Sequence, residues 1–312
     1  MTLDDLAAIA ATAARPTVPA WAFGTVVRNS ITFATGAVDT TTRVRWVQSH
    51  AMTGDIRVHA ARPRLTSADR LEDLDAESLA LLASVEGGTA TTAWTAGTMS
   101  WSDWIGFQPY DKYPEPGLMH RIGPCMIEFA PSGIYVEDWR FQPSAPGVLA
   151  GLRLLAEVDD AGTEHARAGG LVMAGDHVIC AIARRQELPA GTRAQDFIRA
   201  SSNPIAAVQQ VLDCTVDYAI KRQGDFTIEI STDPRREGAA AHFASDFSPT
   251  STPGVISQRV TDCPGTASRL WRIDSLEAGV SFPLSTSAPA DKLAWLQSEA
   301  DTLLASASTQ VT

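Results

Sequence analysis

An all-β protein is the expectation, and three observations carry it. From Trp21 onward, short segments rich in Val, Thr, Ile and Trp alternate with Gly, Asn, Asp and Pro, as antiparallel strands do. No strand–helix–strand alternation runs through them, which excludes a parallel α/β sheet. Two hairpin-like stretches place apolar and polar side chains on opposite faces with a period of two. A sandwich or an up-and-down barrel remains. Similar strand numbers on either side of residue 145 point to duplicated barrels in tandem or one large barrel.

The elements follow in order. Residues 3 to 14 predict a helix: Thr2 caps it, Asp4 and Asp5 suit its N-terminal end, and Pro16 and Pro19 stop it. WAFGTVV, SITFAT, RVRWVQSHAM and DIRVHA then read as strands. Leu71, Leu74, Leu79, Leu81 and Leu82 in an acidic run mark a helical insert over about 66–86. Strands resume with TATTAWTA and TMSWSDWIGF, and residues 108–124 read as a loop. CMIEF and IYVEDWRF form a hairpin turned by Ala130, Pro131, Ser132 and Gly133. QPSAPG at 142–147 is the internal boundary, giving a first barrel over 15–145 and a second barrel-like half over 146–288. The second half carries LRLLAEV, GLVMAG, HVICAIARR, CTVDYAIKR, FTIEIST, VISQRVT, RLWRID and VSFP, with one short helix at Ile205 to Val211. Flanking helices occupy 1–14 and 289–307. The last is opened by Pro289 and Asp291, with Leu293, Leu296, Leu303 and Leu304 as its stripe.

Composition narrows the function classes. The chain has 312 residues, is 45% hydrophobic and 20% charged, and carries a net charge of −11. An acidic chain without clustered Lys and Arg argues against a nucleic-acid partner. No apolar run reaches the ~18 residues of a membrane span, so no membrane partner is expected. The N-terminus opens with acids, unlike a signal peptide. Cys125, Cys180, Cys214 and Cys263 lack CxxC spacing, which argues against disulfides or zinc and points to a reducing cytoplasm. Nucleophile elbows, P-loops, HExxH and dinucleotide-binding glycine patterns are missing, and no cofactor or metal is expected.

The two hairpins carry the chemistry. Pairing Glu128 with Tyr135 gathers Met126, Glu128, Tyr135, Glu137 and Trp139 on one face and Ile127, Phe129, Ile134 and Val136 on the other. The second face reads as core. The first is a carboxylate–aromatic face, and Glu128 with Glu137 can serve as an acid–base pair. In the earlier hairpin, a turn at Thr53 and Gly54 sets His50 opposite Arg57 and Gln48 opposite His59. One face then holds Trp46, Gln48, His50, Arg57 and His59. In a barrel such a face lines a lumen suited to a small aromatic or polar molecule; on an open sheet it would simply be wet. Trp94, Trp101, Trp104 and Trp139 belong in a core or around a ligand. Tyr110, Asp111, Lys112 and Tyr113 read as a lid or a plain connection. His120 reads as a surface histidine, Cys180 and Cys214 as inert core, and DPRREG (233–238) as a charged turn.

The stretches TTRVRWVQSHAMTGDIRVHAARP, SWSDWIGFQP, MIEFAPSGIYVEDWR and STDPRREG resemble an uncharacterised bacterial family that is similar to the fungal Hri-type proteins. The matched positions are Trp46, Gln48, Asp55 and Arg57; Trp101, Phe107, Gln108 and Pro109; and Tyr135, Glu137 and Trp139. His50 and Arg235 depart from the pattern. The resemblance covers residues 40 to 145 well and implies a lipocalin-like β-barrel. It adds Asp55 to the pocket candidates and transfers no activity. By analogy of fold, such barrels host cofactor-independent lyases, hydratases, isomerases and cyclases. On that reading Glu137, His50 and Tyr135 handle protons. Trp46, Gln48, Asp55, Arg57, His59, Trp101 and Trp139 bind a small hydrophobic or aromatic substrate. A non-catalytic carrier needs the same pocket without a perturbed titratable group, and an adaptor needs a filled lumen. A homodimer is compatible with either.

Overall fold

The structure is a computed structural model that describes residues 1–10, 17–109, 115–261, 265–287 and 293–307. The proposed lid at Tyr110–Tyr113, Cys263, and the helix start at Pro289 and Asp291 lie outside the described residues. Nine strands occupy the first half: β1 (Gly24–Phe33), β2 (Val38–Asp39), β3 (Arg43–Gln48), β4 (Met52–Val58), β5 (Glu86–Thr95), β6 (Thr98–Gly106), β7 (Gly117–Ile122), β8 (Cys125–Phe129) and β9 (Tyr135–Phe141). They run antiparallel in sequence order, and β1 pairs with β9 to close a barrel of eight strands, with β2 outside the ring. Closure leaves no exposed sheet edge in that ring.

The second half carries nine more strands: β10 (Gly147–Val158), β11 (Glu164–Ala166), β12 (Gly169–Ala174), β13 (His177–Ile182), β14 (Thr215–Arg222), β15 (Asp225–Ser231), β16 (Phe247–Pro249), β17 (Val255–Arg259) and β18 (Ser268–Val280). Their order is β15-β14-β13-β12-β10-β18-β17-β16, with β11 paired to β10. The end strands are bridged by the segment before β16, where Ile228 N–H donates to Ala239 C=O and Ala241 N–H to Phe226 C=O. The half curls like a barrel around solid packing. Leu152, Leu171, Val178, Phe247 and Trp271 fill its inside, and Leu3 and Leu6 of α1 (Leu3–Ala10) plug it.

The other face of this sheet packs on the barrel. Leu149, Val172, Ile179, Val216 and Ile230 share one core with Val47, Ile56 and Val58. Strands β12 and β13 are therefore buried on both faces throughout, and their near-continuous apolar sequence follows. A helical layer of α2 (Ala76–Leu82), α3 (Ala194–Ala200) and α4 (Pro204–Leu212) adds Leu79, Leu82, Ile198 and Val211 to that core. Gln108 ties the layer together: its amide donates to Ala83 and Val85 carbonyls and accepts from Ala194 N–H. A fifth helix spans Leu293–Ala307. Among the described residues, no helix is long and apolar enough to cross a membrane.

Several expectations change. Residues 117–122, read as loop, form β7, and α3 was not anticipated. Gly54 is not a turn residue. It lies mid-strand, where an added Cβ would meet Ile179 Cβ at 2.8 Å. Its missing side chain is what lets the two sheets approach. The turn lies at Ser49 to Ala51, so Gln48 faces Thr53 and Trp46 faces Asp55.

This contact yields a stability test. Gly54→Ala should destabilise by roughly 1–3 kcal/mol, since the branched Ile179 Cβ cannot swing away. In urea unfolding, the double variant with Ile179→Gly, which removes that Cβ, should cost less than the two single changes together. Full additivity would show that this close approach does not limit packing.

Candidate functional site

The barrel is hollow. A cavity of about 600 Å³ lies inside it, within the range of small-molecule sites. Trp46, Asp55, Arg57, His59, Trp101, Tyr135, Glu137 and Trp139 all line it. These are eight of the ten residues expected at the site. Strand alternation accounts for most of this: Arg57, Asp55 and Thr53 are every second residue of β4, and Tyr135, Glu137 and Trp139 of β9.

Two irregularities bring in residues that alternation would turn outward. Arg28 and Ile31 are three apart on β1, yet both line the cavity, because the β1–β9 register shifts between Arg28 and Ser30. Trp101 and Trp104 are likewise three apart on β6. The β5–β6 register shifts there, and Asp103 adopts φ of 52°. A bulge adds one residue and resets the phase of the strand. Gly106 leaves room for the Trp104 indole, which stands against its Cα.

The floor is aromatic. The Trp46 ring meets Trp139 edge-on at 5.2 Å and Trp101 at 6.0 Å. Gln48 stands behind this floor rather than in the lumen. Its side-chain oxygen accepts from Trp46 Nε1 at 3.2 Å, and its amide donates to the carbonyls of Ser49 and Met52. The expected substrate-binding role for Gln48 is thus replaced by holding Trp46. His50 is also displaced. It sits in the β3–β4 turn, edge-on to Phe23 at 4.7 Å, with Nε2 2.8 Å from Glu277 on β18. The turn falls three residues earlier than expected, which takes His50 off the strand and out of the lumen.

The acid groups sit on one wall. Glu128 and Glu137 are directly opposite each other on β8 and β9, closer in register than the diagonal pairing expected. Both are buried. Arg28 engages Glu137: its Nη1 is 2.8 Å from Glu137 Oε1, and its Nη2 2.9 Å from Asp39. Arg57 lies 3.7 Å from the same Glu137 oxygen and pairs with Asp55 at 3.1 Å. Among the described residues, Glu128 forms no ion pair with Lys or Arg. Instead Tyr135 Oη donates to its Oε1 and Trp139 Nε1 to its Oε2, both at 3.1 Å.

These surroundings act on the Glu128 carboxyl. Burial, and next the Glu137 charge, push Glu128 up to about 8, against opposing effects from Arg57, Tyr135 and Trp139. Glu128 therefore holds its proton more tightly than an ordinary carboxyl. Burial also raises Asp55, with Arg57 opposing. Burial works against Asp39 too, but hydrogen bonds from Thr42 and Thr41 win and hold it well below the usual carboxylate range. The Tyr135 hydroxyl is pushed far up by burial and by Glu128 and Glu137, so it stays a donor. Among the described residues, no three His, Cys, Asp or Glu side chains gather in a metal-binding cluster.

The opposite side of this hairpin is not core. Phe129 is 44% exposed, and Ile134, 55% exposed, also lines the cavity at its open end. The second sheet covers β3, β4 and β5, leaving the outer side of β8 and β9 to solvent. The polar face took the inside. His120 is exposed, as expected, and Cys180 and Cys214 are buried. DPRREG joins the halves through Glu237, which pairs with Arg62, while Arg236 pairs with Asp217 within the second half at 2.8 Å. Sequence reading missed Arg28, Asp39 and Glu86 as lumen residues, and left Trp104 between core and ligand. Arg28 and Trp104 lie beside bulges, which leave no periodic signal.

No family model matches the chain, and neither does any curated protein. Among solved structures, the uncharacterised protein YLR301w from Saccharomyces cerevisiae is similar with a TM-score of 0.45 and 10% identity, over 81% of this chain and 98% of that one.

The raised Glu128 makes a pH prediction with a definite sign. The folded state binds its proton more tightly than the unfolded chain. That contribution to stability is complete below the unfolded value near ~4.3 and is lost as pH rises through the folded value. Wild type should therefore lose stability relative to Glu128→Gln between about pH 5 and pH 8. A constant difference in urea midpoints across that window would contradict the assignment.

Proposed function

We propose that the first barrel binds a small hydrophobic or aromatic molecule and acts on it by acid–base catalysis without a cofactor. The reaction classes are a lyase or hydratase step, an isomerisation or a cyclisation. One observation carries this reading: a buried Glu128, whose carboxyl burial pushes up to about 8, beside an ion-paired Glu137 in the wall of an aromatic cavity. Two carboxyls whose surroundings drive their proton affinities apart are the usual basis for assigning acid and base.

The roles follow from the contacts. Glu128 is the proton donor. Tyr135 and Trp139 fix its carboxyl, and their hydrogen bonds stabilise the carboxylate it leaves behind. Glu137, oriented by Arg28, is the negative group that balances positive charge developing on the substrate or takes a proton from it. The faces of Trp46, Trp101, Trp104 and Trp139 supply apolar contact and cation–π stabilisation. A hollow lumen with titratable walls favours this reading over an adaptor, whose lumen would be filled like that of the second half.

Intrinsic tryptophan fluorescence tests it, because four indoles line the cavity. A panel of small aromatic and terpenoid compounds should contain members that quench or shift the emission saturably. Trp101→Ala should weaken their binding by about tenfold, in line with an aromatic contact worth roughly 0.5–1.5 kcal/mol beyond burial. Bound compounds should then be converted by wild type and not by Glu128→Gln, followed by mass spectrometry. Saturable binding without conversion would identify a carrier, and no response across the panel would contradict a binding barrel of either kind.

A further inference from the structure

We propose that the molecule taken up by the barrel carries an anionic head group, a carboxylate or a phosphate, held at the barrel mouth by Arg43 and Arg64. This rests on the binding role of the lumen given above and narrows its ligand.

A second cavity, of about 510 Å³, adjoins the first. Thr41 and His59 line both, so the two spaces share a wall at the mouth. The outer space has the opposite electrical character from the lumen. Among the described residues, three arginines line it, Arg43, Arg62 and Arg64, against a single carboxylate, Glu237. Arg62 answers that carboxylate and also donates to the Ser231 carbonyl, which holds it in place. Arg43 reaches the same Glu237 only at 3.7 Å and is half-exposed. Arg64 makes no ion pair among the described residues. Two cations therefore face this space in excess of its own negative charge, in a chain whose net charge is −11.

The lumen arginines cannot take the head group on the same terms. Arg28 is engaged by Asp39 and Glu137, and Arg57 by Asp55. An anion beside them would also meet the Glu128–Glu137 wall. The favourable arrangement sets the apolar body among the indoles and the head outside, where guanidinium groups bind carboxylate or phosphate through paired hydrogen bonds.

Geraniol, geranic acid and geranyl monophosphate share one body and differ in the head, and each can be titrated by tryptophan fluorescence at low salt. The acid, the phosphate or both should bind at least about tenfold tighter than the alcohol, and the advantage should shrink with added salt as an exposed ionic contact does. A gain with the acid alone, or equal gains, assigns a carboxylate site. A further gain with the monophosphate assigns a phosphate site. The Arg43→Gln/Arg64→Gln double variant should remove the gap between charged and neutral ligands. Equal binding of all three to wild type would overturn the head-group site while leaving the cavity reading intact. A gap that survives the double variant would overturn the assignment to these arginines. If none of the three binds while other panel members do, the anionic-head proposal fails alone; if nothing binds, the cavity reading fails with it.

Discussion

Two carboxyl groups face each other across adjacent strands inside a closed barrel, where burial and the Glu137 charge both penalise charge on Glu128. Water is largely excluded and the strand register fixes their approach. Raising Glu128 from an ordinary carboxyl value to about 8 corresponds to a charging cost on the order of 5 kcal/mol, a sizeable share of the stability of a typical domain. The protein avoids the cost by dividing roles. Arg28 secures Glu137, while burial and the Glu137 charge hold the proton on Glu128 against the hydrogen bonds from Tyr135 and Trp139. The indole floor adds to the effect by keeping the wall dry, and it gives the cavity its apolar character.

The rest of the fold supports that wall. The second sheet packs its outer face on β3, β4 and β5 and fills its own inside with Leu, Phe, Trp and α1. It acts as a rigid backing for the strands that carry Trp46, Asp55 and Arg57. Gly54 and Gly170 let the layers touch, the latter against Thr89. The hollow half and the solid half are thus built from the same strand-rich sequence. They differ in what faces inward: rings and charges in one, aliphatic side chains in the other.

Much of this was legible because side chains on a strand repeat with a period of two. The turn of the β3–β4 hairpin was misplaced, and the pairing of both hairpins was shifted, yet each shift was by an even number of residues. An even slip preserves which side chains share a face, so Trp46 stayed with Arg57, and Glu128 with Tyr135 and Glu137. His50 was lost because it depended on the turn itself. Gly54 misled for a related reason: glycine marks turns, but it also marks close packing between layers, and sequence does not tell the two apart. Arg28 and Trp104 reach the lumen through bulges, where the period breaks. The inside–outside assignment of the β8–β9 hairpin was half right. Its polar face turned inward as proposed, while its aliphatic face, expected to be core, was left to solvent because the second half covers a different arc of the barrel.

The claim beneath the functional reading is that this pair keeps a proton on Glu128 at neutral pH. Infrared difference spectroscopy of wild type against Glu128→Gln reads it directly. A carboxylic-acid carbonyl band present in wild type at about pH 7, absent from the variant and fading as the solution is made more alkaline, is the result this account requires. A difference spectrum containing only carboxylate bands would mean that both groups are ionised in the lumen, and the separation of acid from base would be wrong.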